Sequence, residues 1–144
     1  MALFSKKPKE PQSLYFYVAG MQYYLENLYS VGTERPKYKL SDEKLVKQAT
    51  GKRAFKYGFP QEPVTLVPEP NNPHDKNAIQ VLLCGVLIGY VPADLCGQVK
   101  QILKKNQIQR LNIFIDGGDY KEINGNTVTL VSKPITGQVG ICYV

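Results

Sequence analysis

The sequence predicts a mainly β domain with two helices, in which short strands form a small closed antiparallel barrel. Three observations lead to this fold class: about six runs of β-forming residues, two amphipathic stretches, and turn residues between them. The 144 residues suffice for one hydrophobic core, and 43% of them are hydrophobic. We expect a barrel because a twisted sheet of this size removes its exposed edges by closing.

The first element is a strand at Leu14–Val18. Every second residue of this run is apolar, a period of two that is typical of a strand, and Gly20 ends it. The preceding residues 1–12 carry prolines and lysines and have little to bury, so we expect a flexible arm there. Residues 13–144 are predicted to form a single domain.

The first helix is predicted to begin after Ser41 and to end at Gly51. The Ser41 hydroxyl can cap it, and two acids in its first turn suit the helix dipole. The helix lies in a basic segment, Arg35–Lys56, which contains eight bases and two acids. The net charge of this segment equals the +6 of the whole chain, so we expect a basic helical insertion at about residues 25–62.

The basic segment attracts polyanions such as nucleic acid, but a solvated helix that keeps the protein soluble would have the same charge. After the predicted end of the helix at Gly51, every second residue is aromatic at Phe55, Tyr57 and Phe59. These aromatic rings could stack on nucleobases, or they could pin the loop to the barrel. The candidate electrostatic contacts are Lys44, Lys47, Lys52, Arg53 and Lys56.

A second strand is predicted at Val64–Val67, and the densest turn cluster of the chain follows at Asn71–Asp75. Asn and Asp side chains bond to nearby backbone groups, so this cluster predicts a structured loop. Ala78–Leu83 and Val86–Val91 are β runs separated by Cys84-Gly85. That spacing predicts a tight hairpin in which the glycine adopts an unusual backbone conformation.

The second helix is predicted to begin at Asp94, whose carboxylate can cap it, with apolar residues on one side and lysines on the other. Strands are predicted at Leu111–Ile115 and Thr127–Val131, with a turn at Asp116–Asp119. A last run, Val139–Val144, is expected to close the edge of the sheet. Together these elements resemble a barrel of the OB or SH3-like type.

The sequence contains no motif of a recognisable catalytic chemistry. The three cysteines are widely spaced and His74 has no cysteine nearby, so we expect reduced thiols and no metal site. Asp116 and Asp119 lack the spacing of a calcium loop, and a phosphate-binding glycine loop is absent. No apolar run approaches the roughly 18 residues of a membrane span. We therefore expect a non-catalytic cytoplasmic protein without a cofactor or a membrane contact.

Several segments, read in order, resemble the HIRAN domain family: Val18–Tyr24, Val64–Val67, Pro70–Val81 and Gly89–Pro92. The Asn-Pro-aromatic-Asp-x-Asn-Ala-Ile block in the third segment is close to a family signature, and its distance to the Gly-Tyr-Val-Pro turn is as expected. The resemblance implies a small β-barrel related to the OB fold. It also implies a domain that captures the 3′ end of single-stranded DNA.

The resemblance assigns roles to individual residues. Asp75 would accept a hydrogen bond from the terminal 3′-hydroxyl, and Tyr23 would stack on the last base. Asn71 and Asn72 would line the pocket, and Tyr24 would lie by a phosphate. A carboxylate accepts a hydrogen bond from a hydroxyl but repels a phosphate, so Asp75 would recognise a free 3′ end.

Three residues depart from the family's DNA-binding pattern. Gln22 stands where an arginine contacts phosphate, His74 replaces a tyrosine that stacks on the base, and Tyr90 replaces a histidine near the backbone. The loss of the arginine removes a charge-assisted phosphate contact, which the basic segment could replace.

Besides an unrecognised hydrolase, which is the least favoured interpretation, two functions remain open. One is a DNA-binding module for single-stranded or recessed 3′-hydroxyl ends, with a helicase or a nuclease as a candidate protein partner. The other is a protein-interaction scaffold that keeps the family fold and no longer contacts phosphate. The polar side chains of residues 71–77 could also serve only to lock the turn.

Overall fold

The computed structural model describes residues 10–49 and 51–144, and within these ranges it is mainly β with three helices rather than the predicted two. Residues 1–9 of the predicted arm lie outside the described residues, and Gln12 already belongs to the first strand. The strands are β1 (Gln12–Tyr17), β2 (Thr33–Glu34), β3 (Arg53–Phe55), β4 (Tyr57–Gly58), β5 (Val64–Pro68), β6 (Ile79–Leu83), β7 (Val86–Tyr90), β8 (Ile108–Asn124) and β9 (Thr127–Tyr143). The helices are α1 (Leu25–Ser30), α2 (Asp42–Ala49) and α3 (Cys96–Lys105).

Across the described ranges the strands form three antiparallel sheets, which are not closed into a barrel. The largest sheet has the order β1-β9-β8-β3, the second has the order β5-β6-β7, and β2 pairs with β4. The predicted closed barrel is therefore not found. Strands β8 and β9 form one long hairpin of 17 residues on each side, with β1 and β3 at opposite ends of its two outer edges. Because these edge strands lie so far apart along the hairpin, they do not pair with each other.

Several local predictions are confirmed. The backbone N–H of Lys44 donates to the Ser41 hydroxyl at 3.3 Å, which caps α2 as expected. The hairpin between β6 and β7 turns at Cys84 and Gly85, whose φ angles of 50° and 82° are those of a tight two-residue turn. In β1 the alternation buries Phe16 and leaves its neighbours exposed.

The predicted turn at Asp116–Asp119 is wrong, because β8 continues through it with a bulge. The pairing with β9 shifts between Asp116 and Gly118. Gly117 has a φ of 91°, and a Cβ there would lie 2.2 Å from the carbonyl oxygen of Pro134. The glycine pair thus bends the strand rather than ending it.

Two further predictions are corrected. Residues 139–143 belong to β9, which pairs with β1 on one side and β8 on the other, so this run is central and does not close an edge. Asp94 lies in a 3-10 turn, Ala93–Leu95, and α3 begins after Leu95 without a side-chain cap. The 3-10 turn satisfies the local backbone in place of an Asp cap, with Leu95 N–H donating to the Pro92 carbonyl at 2.9 Å.

Among the residues that the structure describes, the buried side chains form two clusters. The larger contains side chains from both larger sheets and α3, such as Ile79, Ile88 and Val99, which are fully buried. The smaller joins Leu45 of α2 to Ile123 of β8. Burying one such side chain stabilises the folded state by about 1.5–3 kcal/mol. The second cluster therefore fastens the basic segment to the far end of the β8–β9 hairpin.

Candidate functional site

Four of the predicted site residues line one shallow cavity of about 470 Å³ on the signature loop, residues 69–77. The Asn72 Oδ1 atom accepts from the backbone N–H groups of His74 at 2.9 Å and Asp75 at 3.0 Å. Asp75 Oδ1 accepts in turn from the N–H of Asn77 at 2.8 Å. These bonds fix the loop backbone, as the turn-locking interpretation expects. The cavity is lined by Pro70, Asn71, Asn72, Pro73, His74, Asp75 and Lys76.

Glu69 organises the start of this loop. Its Oε1 accepts from the side-chain amide of Asn72 at 2.9 Å, and its Oε2 accepts from the Gln80 amide and from the Tyr90 hydroxyl at 3.2 Å. The carboxylate is partly buried. Glu69 was not among the site residues predicted from the sequence. The sequence feature that could have identified it is an acidic residue between two prolines, Pro68 and Pro70, at the end of a predicted strand.

Tyr90 connects the signature loop to the segment that follows β1. Its backbone exchanges hydrogen bonds of 2.8 and 2.9 Å with Ala19, and its ring centroid lies 6.1 Å from that of Tyr24. Burial, with the Tyr24 hydroxyl and the Glu69 carboxylate nearby, raises the pKa of Tyr90 to about 12. The hydroxyl therefore stays protonated at neutral pH and donates to Glu69.

Of the two tyrosines after β1, Tyr23 lies on a 3-10 turn, Met21–Tyr23, and Tyr24 directly follows that turn. Gly20, with a φ of 76°, begins the turn, and Met21 anchors it with a side chain that is 3% exposed. Gln22 is exposed and Tyr23 is 80% exposed. The contacts in the described part of the chain thus tie Tyr24 to the loop through Tyr90, while Tyr23 presents its ring to solvent.

Three lysines surround a second hollow, of about 250 Å³, which shares Pro70 and Lys76 with the first cavity. Lys100 of α3 donates to Asn77 Oδ1 at 3.0 Å, which holds the helix against the loop. This arrangement was not predicted from the sequence, although the i, i+4 spacing of Lys100 and Lys104 places both on one helix face. The hollow is lined by Pro68, Pro70, Lys76, Lys100, Leu103 and Lys104.

The predicted electrostatic residues lie elsewhere. Lys44 and Lys47 are exposed on α2, and Lys52 and Arg53 lie where the chain enters β3. In the part of the chain that the structure describes, neither these four nor Lys56 lines the cavity of the signature loop. These residues of the basic segment therefore lie outside that cavity, whereas Lys76, which also borders the second hollow, lines it.

Arg53 contributes to a third concavity, a groove of about 520 Å³ that it lines together with Arg35, Lys37 and Asp116. The Arg53 guanidinium carbon lies 4.9 Å from the ring centroid of Tyr120. One acid faces three bases among the lining residues, so the groove is positively charged.

The aromatic residues of the basic segment pack mainly on other rings. The centroids of Tyr57 and Tyr29 are 4.9 Å apart, and those of Phe55 and Tyr120 are 5.1 Å apart. Phe59 lies 6.3 Å from Tyr57. These contacts pin the segment to its surroundings, which was one of the two expected roles. All three predicted rings also line the groove.

Two findings concern other classes of site. Within residues 10–49 and 51–144 no three His, Cys, Asp or Glu side chains are grouped so that they could hold a metal ion. None of the helices in those ranges has the length and apolar character needed to span a membrane.

The HIRAN domain family model matches residues 11–129 of this chain. Among solved structures, the crystal structure of the HIRAN domain of human HLTF matches with 20% sequence identity over 91% of this chain and 74% of that chain, at a TM-score of 0.44. No curated protein matches. The family match covers most of the chain, including β1 and the signature loop, and the protein therefore belongs to the HIRAN domain family.

Proposed function

We propose that this HIRAN domain binds DNA without catalysing a reaction, and that it recognises single-stranded or recessed 3′-hydroxyl ends. The observation that carries the proposal is the contact network that runs from Tyr24 through Tyr90, Glu69 and Asn72 to the backbone of Asp75. It joins the two segments to which the family resemblance assigns end recognition. Turn-locking alone would require only the bonds inside the loop.

In this proposal Asp75 recognises the 3′ end of the DNA strand. Its Oδ1 accepts from Asn77, but a carboxylate has about four acceptor sites on two oxygens, so it can also accept from a 3′-hydroxyl. Asn72 holds the Asp75 backbone in place before ligand arrives, which lowers the entropy lost on binding. A 3′-phosphate at the same position would be repelled.

The lysines of the second hollow supply the phosphate contacts in this proposal. Gln22 cannot make the charge-assisted bond of an arginine, whereas Lys76, Lys100 and Lys104 surround the adjoining hollow. The penultimate phosphate would therefore lie on the α3 side of the cavity. Tyr23, with its exposed ring, would stack on the terminal base and contribute about 1–3 kcal/mol with little base preference.

The scaffold alternative is favoured by Gln22, whose exposed side chain carries no charge. Salt dependence separates the two functions. Phosphate contacts release counterions, so affinity for DNA falls steeply as salt rises, by about 0.7 in the logarithmic slope for each phosphate of a single strand. An apolar protein interface lacks that dependence.

The test is fluorescence anisotropy with 5′-labelled single strands that end in a 3′-hydroxyl or a 3′-phosphate, across a salt series. We expect the hydroxyl-ended strand to bind about tenfold more tightly or better, as for a hydrogen bond to a charged group. Equal, weak binding of both strands would contradict end recognition and leave only general charge attraction. No binding at low salt would support the scaffold.

A further inference from the structure

The outer face of the largest sheet carries a row of exposed aromatic rings. In the strand register, Tyr17 lies beside Gln138, and Gln138 lies beside Phe114. Tyr15 lies two residues before Tyr17 on the same face of β1. These three rings are 63%, 61% and 60% exposed, in the order Tyr15, Tyr17 and Phe114.

The opposite face of the same strands is the core. Phe16, Val139 and Ile113, which alternate with the exposed residues, are 4% exposed or less. An antiparallel sheet with one buried face normally presents polar residues on the other. Three large aromatic rings on the solvent side depart from this usual pattern, and such an exposed apolar surface points to a ligand.

Glycine at position 140 lets one of these rings lie over the sheet. Gly140 lies on β9, where it pairs with Tyr15 of β1 on one side and with Asn112 of β8 on the other. A Cβ at Gly140 would lie 3.0 and 3.2 Å from two ring atoms of Tyr15 and 3.2 Å from Asn112 Oδ1. The Tyr15 ring thus covers the glycine and is held in place by the sheet beneath it.

Basic side chains lie at both ends of this aromatic row. Arg110 of β8 is exposed and belongs to the same face, since its neighbour Cys142 pairs with Ser13 of β1. Phe114 at the other end is also a wall of the groove that contains Arg35 and Arg53. The rings and the charges therefore form one continuous surface.

The Arg35 side chain is positioned by the backbone. A Cβ at Gly58 would lie 2.6 Å from its Nε and Nη2 atoms, so the guanidinium rests against the bare glycine. The backbone N–H of Arg35 donates to the Lys56 carbonyl at 2.9 Å. The guanidinium thus lies beside the groove and is still exposed to solvent.

The spacing of the rings suits single-stranded nucleic acid. Alternate residues of a strand are about 6.6 Å apart and neighbouring strands about 4.8 Å apart, so Tyr17 and Phe114 are separated by about 10 Å. Sheet faces with two or three exposed rings stack that many unpaired bases in known single-strand binders. Phosphates between the bases would meet the arginines at either end.

We propose that this outer sheet face, with Tyr15, Tyr17 and Phe114, and the adjoining groove form a second binding surface that takes internal nucleotides of a single strand. The inference rests on the proposed DNA-binding function but uses none of the residues that line the cavity of the signature loop. End recognition and internal binding then have different requirements: one needs a 3′-hydroxyl and the other does not.

A circular single strand of DNA tests the surface, since it has no end. We expect wild-type protein to bind a labelled circular strand, and Tyr15→Ser with Tyr17→Ser to weaken that binding about tenfold or more because stacking is removed. Leu130→Ser is the matched control, because Leu130 is 71% exposed and lies outside both surfaces.

Failure of this inference is distinguishable from failure of the end site. If wild type does not bind circular DNA, or if the double tyrosine variant binds it as tightly as wild type does, the second surface is wrong. That conclusion holds whatever the ratio of affinities for 3′-hydroxyl and 3′-phosphate strands.

Size-exclusion chromatography gives a further outcome. If wild type is a dimer, the double variant is a monomer and both bind circular DNA equally, the face joins two copies of this chain and the inference is overturned. Phe114→Ser provides an independent variant should the double substitution reduce folding.

Discussion

The signature loop and the basic segment both carry residues predicted to contact DNA, but the fold holds them in different ways. In the loop, the side chains of Glu69, Asn72 and Asp75 accept or donate hydrogen bonds that fix the local backbone and one another. The loop therefore offers one geometry. Such a preorganised site can discriminate between ligands that differ in one group.

The basic segment has charge without a comparable geometry. Its described ion pairs are Lys39 to Glu34 at 2.7 Å and Lys47 to Glu43 at 3.5 Å, with side chains that are at least half exposed. Exposed pairs of this kind contribute about 0–1 kcal/mol. Under the proposed function, this difference assigns specificity to the loop and end-independent attraction to the basic segment and its groove.

The largest expected effect is that of Glu69→Ala, which removes three acceptor bonds at once. We expect the free energy of unfolding to fall by about 2 kcal/mol, because Asn72, Gln80 and Tyr90 lose their partner. The preference for 3′-hydroxyl ends should be lost with it. Urea unfolding and anisotropy measure the two effects.

Glu26→Ala, an exposed glutamate of α1, is the control for the charge change. If Glu69→Ala is as stable as Glu26→Ala and keeps the end preference, the signature loop is not organised by Glu69. The contrast between a loop with a fixed geometry and a basic segment that offers mainly charge would then lose its main support.

A smaller effect is expected when charge is removed from the groove. Lys37→Gln with Arg53→Gln should weaken binding of every single strand several-fold and lower the logarithmic salt slope by about 0.7 for each phosphate that is no longer neutralised. The ratio between 3′-hydroxyl and 3′-phosphate strands should not change. The control is Lys47→Gln, whose ammonium is already paired with Glu43. A changed ratio in the groove variant would show that the two regions are not separate.

The smallest effect concerns pH. The pKa of Tyr90, raised by burial to about 12 from an ordinary 10, means that the unfolded chain loses this proton first as pH rises. The folded state then holds more protons between about pH 10 and 12, so the contribution of Tyr90 to stability is intact below pH 10 and decreases across this window. Urea unfolding at pH 9 and 11 should show a smaller decrease for Tyr90→Phe than for wild type. If the free energy of unfolding decreased equally in the two proteins, Tyr90 would not be held neutral by the fold.

Local parts of the fold could be predicted from the sequence. The Ser41 cap, the alternation in β1 and the Cys84-Gly85 turn depend on residues a few positions apart, and each was confirmed. The glycines at 117 and 118 were misread because the same residues permit a turn or a bulge, and the choice depends on pairing with β9 far along the chain.

The residues of the candidate site also divide into those with local partners, which could be predicted, and those with distant partners, which could not. Asn72 and Asp75 could be identified because their turn chemistry is local. Glu69 and Lys100 could not be placed, since their partners Tyr90 and Asn77 are 21 and 23 residues away along the chain. Barrel closure was also a non-local inference, and it failed because the long hairpin separates the two edge strands.

The most direct test of the central claim is the ratio of dissociation constants for 3′-phosphate and 3′-hydroxyl strands, measured for wild type, Asp75→Asn and Asp94→Asn. Asparagine keeps the side-chain oxygen that accepts from the Asn77 N–H but removes the charge, so Asp75→Asn should fold normally. Asp94 is exposed in the turn before α3 and controls for the removed charge. We predict that wild type and Asp94→Asn prefer the hydroxyl about tenfold or more and that Asp75→Asn shows a ratio near one. A wild-type preference that survives in Asp75→Asn would contradict the assignment of end recognition to this loop.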